Sequence, residues 1–552
     1  MYCHGFGDFF LITFNASSKP YRVLIDCGLL TGDPAPLRQA LNELIDETKG
    51  ELDVVVQTHE HKDHVSGFNL KGPDGVRIWN GIRVKQVWQA WTEDPTHKLA
   101  RTLKIKQAQK KDALDLALRE YKNSIDSDKH KDLMARLYRG PDYLAAERRF
   151  ARALGQVLDF NNTTDDLSRQ DHVAAVFGYK KSPRLTVSNA MQYFAERCKD
   201  EDIVMKYLRP GTVLEEKDTE LPGVRFYVLG PPENEASLRM MDDPTHKEMY
   251  LDNRGFSDNF YLAILDNLAV DERVSGDLGR EERVTRNIPF AEEYVFVGGY
   301  VNKSTDEDLR RESSSEEPSG SNGIEWNVVK SYQSEENAWR AIELDWLHNT
   351  GVLALHLDSY TNNTSLALAI EIPTPEGDKV LLFPGDAQIG NWITWTEKDR
   401  DGNAKLTWTA VNKSSDRRVE GEDILQKTAF YKVGHHASHN ATARKHGLEL
   451  MSDDLIAMIP VDEEVASNQG KRGWIMPAPG LLARLIEKTR GRIIRSDTGV
   501  ILESGLCKIP VGARPTKAQK EDFLNRVVPS SSTYIDKQGN QRHLYYEYKI
   551  SI

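Results

Sequence analysis

Cysteine is scarce in this chain: Cys3, Cys27, Cys198 and Cys507 are the only four in 552 residues, and no two form a CxxC pair. That usage excludes a disulfide-stapled scaffold and a thiolate zinc ribbon, and it suits a reducing cytoplasm. Also missing is any apolar run near the roughly 18–20 residues that a membrane-spanning helix needs. Met1-Tyr2-Cys3-His4-Gly5 has neither the basic start nor the apolar stretch of a signal peptide. The expectation is a cytoplasmic protein without membrane contact. Positive charge is not in excess, since 72 Lys+Arg against 84 Asp+Glu gives −12. This excludes coating of nucleic acid or anionic lipid by bulk charge and leaves room for a small basic groove. Hydrophobic residues at 39% and charged residues at 28% exclude a mostly disordered chain. The length suits two to four structural units, or one large domain with insertions.

The patterning that is present opens as an α/β protein. Phe9 to Phe14 and Tyr21 to Asp26 read as strands around a Ser17-Ser18-Lys19-Pro20 turn. Pro36 to Lys49 has helical spacing, with Leu37, Leu41, Leu44 and Ile45 on one face, and Leu52 to Gln57 is a short β-branched strand. Residues 1–92 form the first part of the core. Residues 93–200 are charged, Leu/Ala-rich and without β alternation, which predicts an inserted helical subdomain. Strand character returns within 201–232, at Val224 to Leu229. A second, irregular insertion spans 233–355 and includes a Ser/Glu/Asp-rich loop at 303–323, expected to be mobile. Core strands resume in 356–510, at Ser365–Ile372, Lys379–Phe383, Thr428–Val433 and Leu455–Ile459. A C-terminal extension, 511–552, ends in an alternating aromatic strand. No internal repeat of fixed period is found.

Chemistry concentrates in Thr58-His59-Glu60-His61-Lys62-Asp63-His64, where three imidazoles and a carboxylate fall within six positions directly after a buried strand. Imidazole with carboxylate suits zinc and neighbouring first-row metals. On a loop leaving a strand, His59 and His61 can grip one ion, and the turn that follows sends Asp63 and His64 to a second. Gly385-Asp386 closes another strand, where a carboxylate can bridge two cations about 3.5–4 Å apart. Gly434-His435-His436-Ala437-Ser438-His439 closes a third and supplies further imidazoles.

These residues, in this order, resemble the metallo-β-lactamase superfamily, with its HxHxDH motif, bridging Asp and final His. The closer resemblance is to ComEC-type hydrolases, the nuclease-like domain of DNA-uptake channels, and their soluble relatives. Gly5-Phe6-Gly7-Asp8, Leu24-Ile25-Asp26-Cys27-Gly28 and Asn362-Asn363-Thr364-Ser365-Leu366 support it. So does Val433-Gly434-His435-His436-Ala437-Ser438, which stands where that group has an S/G-H-H-G-S segment. The resemblance covers roughly residues 1–92, 224–232 and 356–505. It implies a four-layer αββα sandwich carrying the two insertions. It implies two divalent cations, Zn2+ with Mn2+ as the alternative, on His59, His61, Asp63, His64, Asp386 and His435. His436 is then expected to contact substrate. Asp8 and Asp26 would orient ligands, and Asn362, Asn363 and Ser438 would support them or touch substrate. Most superfamily members have a third His on the first metal; here the Asn362-Asn363 segment occupies that region. No transmembrane channel accompanies the domain, so DNA import is not implied.

The expected chemistry is hydrolysis by a metal-bridged hydroxide oriented by Asp63, with a water or a histidine, His436 or His439, protonating the leaving group. A phosphodiester or nucleic-acid substrate follows from the resemblance. The alternatives are hydrolysis of small carbonyl esters, lactones or amides, or a regulated subunit whose helical insertion docks a protein partner. Lys98, Arg101, Lys104, Lys106, Lys110 and Lys111 make a basic helix, either a nucleic-acid contact or a solvated face. Trp88, Trp91, Trp392 and Trp395 could line an aromatic mouth or pack the core. His4, His97, His172 and His246 lack ligand spacing, and Cys27 reads as a small buried side chain.

Overall fold

The computed structural model describes residues 1–15, 19–107, 187–243, 245, 247–250, 360–410, 416–468, 474–504, 509–536 and 538–551. The heart of the expected helical insertion, most of the second insertion with the loop 303–323, and Lys110, Lys111, His172 and His246 lie outside these residues.

The architecture is mixed α/β, built on two large sheets. The first holds β1 (Phe10–Phe14), β2 (Tyr21–Ile25), β3 (Glu51–Val56), β4 (Arg83–Ala90) and β5 (Val204–Leu208), in that order. β1 and β2 are antiparallel, and β2 through β5 run parallel. The second sheet involves β6 (Val213–Leu214), β7 (Arg225–Gly230), β8 (Ala367–Ile372), β9 (Lys379–Phe383), β12 (Thr428–Lys432), β13 (Ile456–Ile459), β14 (Ile493–Arg495) and β15 (Gly499–Val500). Its spatial order is β15-β14-β13-β12-β9-β8-β7-β6. In its centre β9, β12, β13 and β14 are parallel. A separate hairpin, β10 (Thr407–Ala410) and β11 (Arg417–Glu420), lies between β9 and β12 in the chain.

Alternation along the strands explains how the sheets are buried. In β3, Val54 and Val56 join an apolar cluster with Phe226, Leu368, Phe383 and Phe430 of the second sheet. Val55, between them, faces the opposite way, onto Leu37, Leu41 and Leu44 of α1 (Ala35–Thr48). A strand covered on both faces reads as an unbroken apolar run, which is why Val54-Val55-Val56 carries no polar residue. The second sheet repeats the arrangement. Leu381 and Phe383 of β9 meet the first sheet. Val380 and Leu382 pack with Trp392 and Trp395 of α4 (Ile389–Thr396) and Leu481 and Leu485 of α5 (Pro479–Thr489). Each such fully buried aliphatic side chain contributes about 1.5–3 kcal/mol.

One expected boundary is drawn differently by the fold. Helix α3 (Val187–Arg197), inside the expected 93–200 insertion, belongs to the core: Ala190, Met191 and Phe194 pack on the first sheet, and Gln57 Nε2 donates to the Ala190 carbonyl at 3.1 Å. It leads into β5, which extends the sheet beside β4. The extension 511–552 is also built in. Tyr2 bridges Tyr545, Cys3 N–H donates to the Leu544 carbonyl at 2.8 Å, and Phe523 is buried in the inter-sheet cluster. Among the described residues no helix is long and apolar enough to cross a membrane.

Candidate metal centre

Three loops converge from the carboxyl ends of β3, β9 and β12, the edge where parallel sheets present ligand sites. The loop after β3 carries His59 to His64 and turns through the short helix α2 (Lys62–Val65). It is clamped from below by backbone. Asp8 N–H donates to the Asp63 carbonyl, and Cys27 N–H to that of His64, both at 2.8 Å. Gly28 makes this approach possible, because a Cβ there would lie 2.1 Å from the Asp63 carbonyl carbon and 2.2 Å from His64 N. The loop after β12 is bent sharply: His435, His436 and Ala437 take φ of 45°, 50° and 62° in succession. Left-handed backbone costs a non-glycine residue roughly 1–2 kcal/mol, and such strain concentrates at working sites.

These loops bring Asp63, His64, Asp386 and His436 together, all buried, with one ligand atom from each lying within 4.8 Å of the others. His436 Nε2 donates to Asp63 Oδ2 at 2.7 Å, and His64 Nε2 lies 3.0 Å from Asp386 Oδ2. Asp63 Oδ1 is buried without a hydrogen-bond partner, and His64 Nε2 and Asp386 Oδ2, equally buried, have only their mutual ion pair. A buried polar atom left unsatisfied costs about 1–3 kcal/mol. A divalent cation would satisfy all three, and carboxylate with imidazole is a donor set that suits zinc. The residues present therefore fit a metal ion.

A second row of contacts orients the donors. His64 Nδ1 donates to Asp26 Oδ2 at 2.8 Å, which turns Nε2 inward. Asp26 also accepts from Thr58 N–H at 2.8 Å and from Thr58 Oγ1 at 2.6 Å. Because Thr58 Oγ1 donates to Asp26, it accepts from His59 Nδ1 at 3.0 Å, and His59 Nε2 then accepts from His61 Nδ1 at 3.0 Å. This chain assigns His59 as a neutral imidazole and puts a proton on Nδ1 of His61. Their pKa values agree. Burial, with His64 and His61 adding to it, holds His59 well below the usual imidazole value, and burial lowers His61 to about 3. His64 goes the other way: burial alone would lower it, but Asp386, Asp8, Asp63 and Asp26 together raise it well above the ordinary value. His436 is likewise raised, because its bond to Asp63 and the nearby carboxylates outweigh burial. Both rings face acceptors through each nitrogen, His64 at Asp26 and Asp386 and His436 at Pro460 and Asp63.

The remaining expected site residues fall into two sets. His435 directs its backbone N–H to Asp386 Oδ1 at 2.9 Å, while its ring donates from Nδ1 to Ser438 Oγ at 2.8 Å and faces Asn362 Nδ2 at 3.4 Å. The residue placed in the four-residue group is thus His436, where the sequence reading preferred His435 as the ligand. The left-handed turn accounts for the difference, since it carries the second ring of the pair inward. His59 and His61 sit beside the group but bond to each other. Asn363 faces away, accepting from Gln388 N–H and Asn391 Nδ2 and donating to the Met240 carbonyl, so it fastens the loop before β8 to α4. His439 stands half-exposed on the rim, 3.5 Å from Asp242. Trp88, Trp91, Trp392 and Trp395 are all buried, which leaves no aromatic mouth among them. Lys104 does not belong to a free basic face, because it bridges Glu60 at 2.7 Å and Glu93 at 2.8 Å. Lys106 pairs with Glu235 at 3.1 Å.

Two contributors were not singled out from the sequence. Thr58 links Asp26 to His59. Lys432, buried at the end of β12, donates to Asp8 Oδ2, to the Gly385 carbonyl at 2.9 Å and to Asp386 Oδ1 at 3.3 Å. The signal for Lys432 was a lysine inside an apolar strand two residues before Gly434. A lysine there must be paired to be buried. Comparisons of the chain with protein-family models, with curated proteins and with solved structures find no match.

Proposed function

We propose that this chain is a metal-dependent hydrolase of the metallo-β-lactamase kind, acting on phosphodiesters, with nucleic acid or a nucleotide-like ester as substrate. The observation that carries this reading is the buried group Asp63, His64, Asp386 and His436, drawn from the three segments that resemble the superfamily's motifs. On the same reading, the two sheets with helices on their outer faces are a four-layer αββα sandwich. The ions would be Zn2+, with Mn2+ as the alternative. One would be held by the four-residue group, and a second would need His59 and His61 to exchange their mutual hydrogen bond for a metal.

A divalent cation bound there would polarise a phosphoryl oxygen and acidify a water. The chain's own residues do the rest. Asp26 fixes the tautomer of His64. Asp63, whose 2.7 Å contact with His436 Nε2 a bound cation would replace, is the carboxylate that would orient a water and accept its proton. His436 is itself anchored through Nδ1 to the Pro460 carbonyl at 2.5 Å. His439, on the exposed rim, is the imidazole best able to reach a leaving group in solvent.

The test is turnover of bis-p-nitrophenyl phosphate against p-nitrophenyl acetate, with Zn2+ and Mn2+ varied, followed by single-stranded DNA, duplex DNA and RNA. Metal-dependent diester hydrolysis that disappears in Asp386→Asn is expected. Turnover of the acetate alone would move the assignment to small carbonyl esters. No turnover of either substrate by metal-loaded protein would refute the hydrolase reading.

A further inference from the structure

Lys432 makes an arrangement that the proposed chemistry does not use. Its side chain is 2% exposed, and its ammonium has three acceptors: Asp8 Oδ2, the Gly385 carbonyl and Asp386 Oδ1. Three acceptors match the three donors of an ammonium, so the group is fully coordinated. Asp8 also belongs to a second buried constellation. Asp8, Asp26 and His64 each offer a ligand atom within 4.8 Å of the others, and Asp8 Oδ1 has no hydrogen-bond partner. Those residues have the composition of a cation site, yet the positive charge beside Asp8 comes from the chain itself. The alternation of β12 explains how it arrives: Phe430 faces the inter-sheet cluster and Tyr431 the opposite side, so Lys432 points between the sheets at the metal-bearing edge.

We propose that Lys432 is a resident cation, occupying a position made by Asp8, Asp386 Oδ1 and the Gly385 carbonyl that would otherwise bind an additional divalent metal ion. This deepens the metal reading above and rests on it for the neighbouring site. Lys432 thereby reserves Asp8 from ligation. It also engages one oxygen of Asp386 together with the His435 N–H, so that Oδ2 is the oxygen turned to His64. Its role is positioning, exerted through Asp386, and it includes setting how many ions the chain holds.

The experiment counts zinc per chain by elemental analysis and by calorimetric titration in wild type, Lys432→Met and Asp8→Asn/Lys432→Met. Lys432→Met is expected to hold one more Zn2+ than wild type. Its melting temperature should fall in chelator and recover in zinc, because the ion replaces the missing ammonium. The double variant, lacking both charges, should return to the wild-type count. An equal count in wild type and Lys432→Met overturns the proposal, as does an extra ion that persists in the double variant. A Lys432→Met protein that fails to fold even when refolded in zinc overturns it too. Wild type without any zinc would refute the metal reading of the neighbouring site, while the difference of one ion still decides the role of Lys432.

Discussion

His436 Nε2 and Asp63 Oδ2 are 2.7 Å apart, although 373 positions separate them in the chain. The contact ties the exit of β12 in one sheet to the loop after β3 in the other, and it places an imidazole where a cation would meet Asp63. His436→Ala, removing a ligand, should weaken zinc binding by more than the roughly 100-fold upper cost of losing an outer partner. His435→Ala, which removes a ring bonded to Ser438, should weaken it less. Competition against a chromogenic chelator measures both. A larger loss in His435→Ala would return the ligand role to His435.

Asp26 holds the proposed ligand His64 and Thr58 at once. Asp26→Asn keeps the shape but removes the negative charge that fixes the His64 tautomer. Zinc affinity should drop about 10–100-fold, the usual cost of losing such an outer partner. Unchanged affinity would show that His64 needs no orienting carboxylate.

Gly28 has space for hydrogen alone, since an added Cβ would press on the Asp63–His64 peptide. Gly28→Ala should destabilise the protein by about 1–3 kcal/mol through overpacking and displace the donors of the loop. A denaturation midpoint and a zinc titration read the two effects. Normal values of both would mean that the loop is not clamped there.

His4 was assigned no role from its spacing, but it is buried and donates from Nε2 to the Gly28 carbonyl at 2.6 Å. Burial lowers its pKa from 6.5 to about 4. An unfolded chain therefore takes up a proton that the folded one refuses, and stability falls as pH drops from about 6.5 towards 4. At pH 5 the loss from this one residue is on the order of 2 kcal/mol. His4→Gln should reduce the drop in urea midpoint between pH 7 and pH 5, measured in chelator. An unchanged drop would assign the acid sensitivity to other groups.

Much of this was legible in the chain because short-range patterns carried it. Val54-Val55-Val56 followed by His59, His61, Asp63 and His64 announces a buried strand delivering ligands, and Gly385-Asp386 and Gly434-His435-His436 repeat the grammar. β4 was overlooked: Arg83-Val84-Lys85-Gln86 mixes charged and apolar residues at the start of a strand whose end is buried. The split between His435 and His436 depends on three successive left-handed residues, a run that is rare for any non-glycine sequence. Lys432 was missed because its partners, Asp8 before β1 and Asp386 in the turn after β9, are brought to it only by the tertiary fold.

Asp63, His64, Asp386 and His436 are proposed to hold a metal ion. Diffraction from zinc-soaked crystals, recorded on both sides of the zinc absorption edge, tests it directly. The account predicts an anomalous peak within bonding distance of those four side chains. It also predicts that the peak is lost in Asp386→Asn crystals grown and soaked in the same way. Anomalous density elsewhere, with none among these four residues, would contradict it.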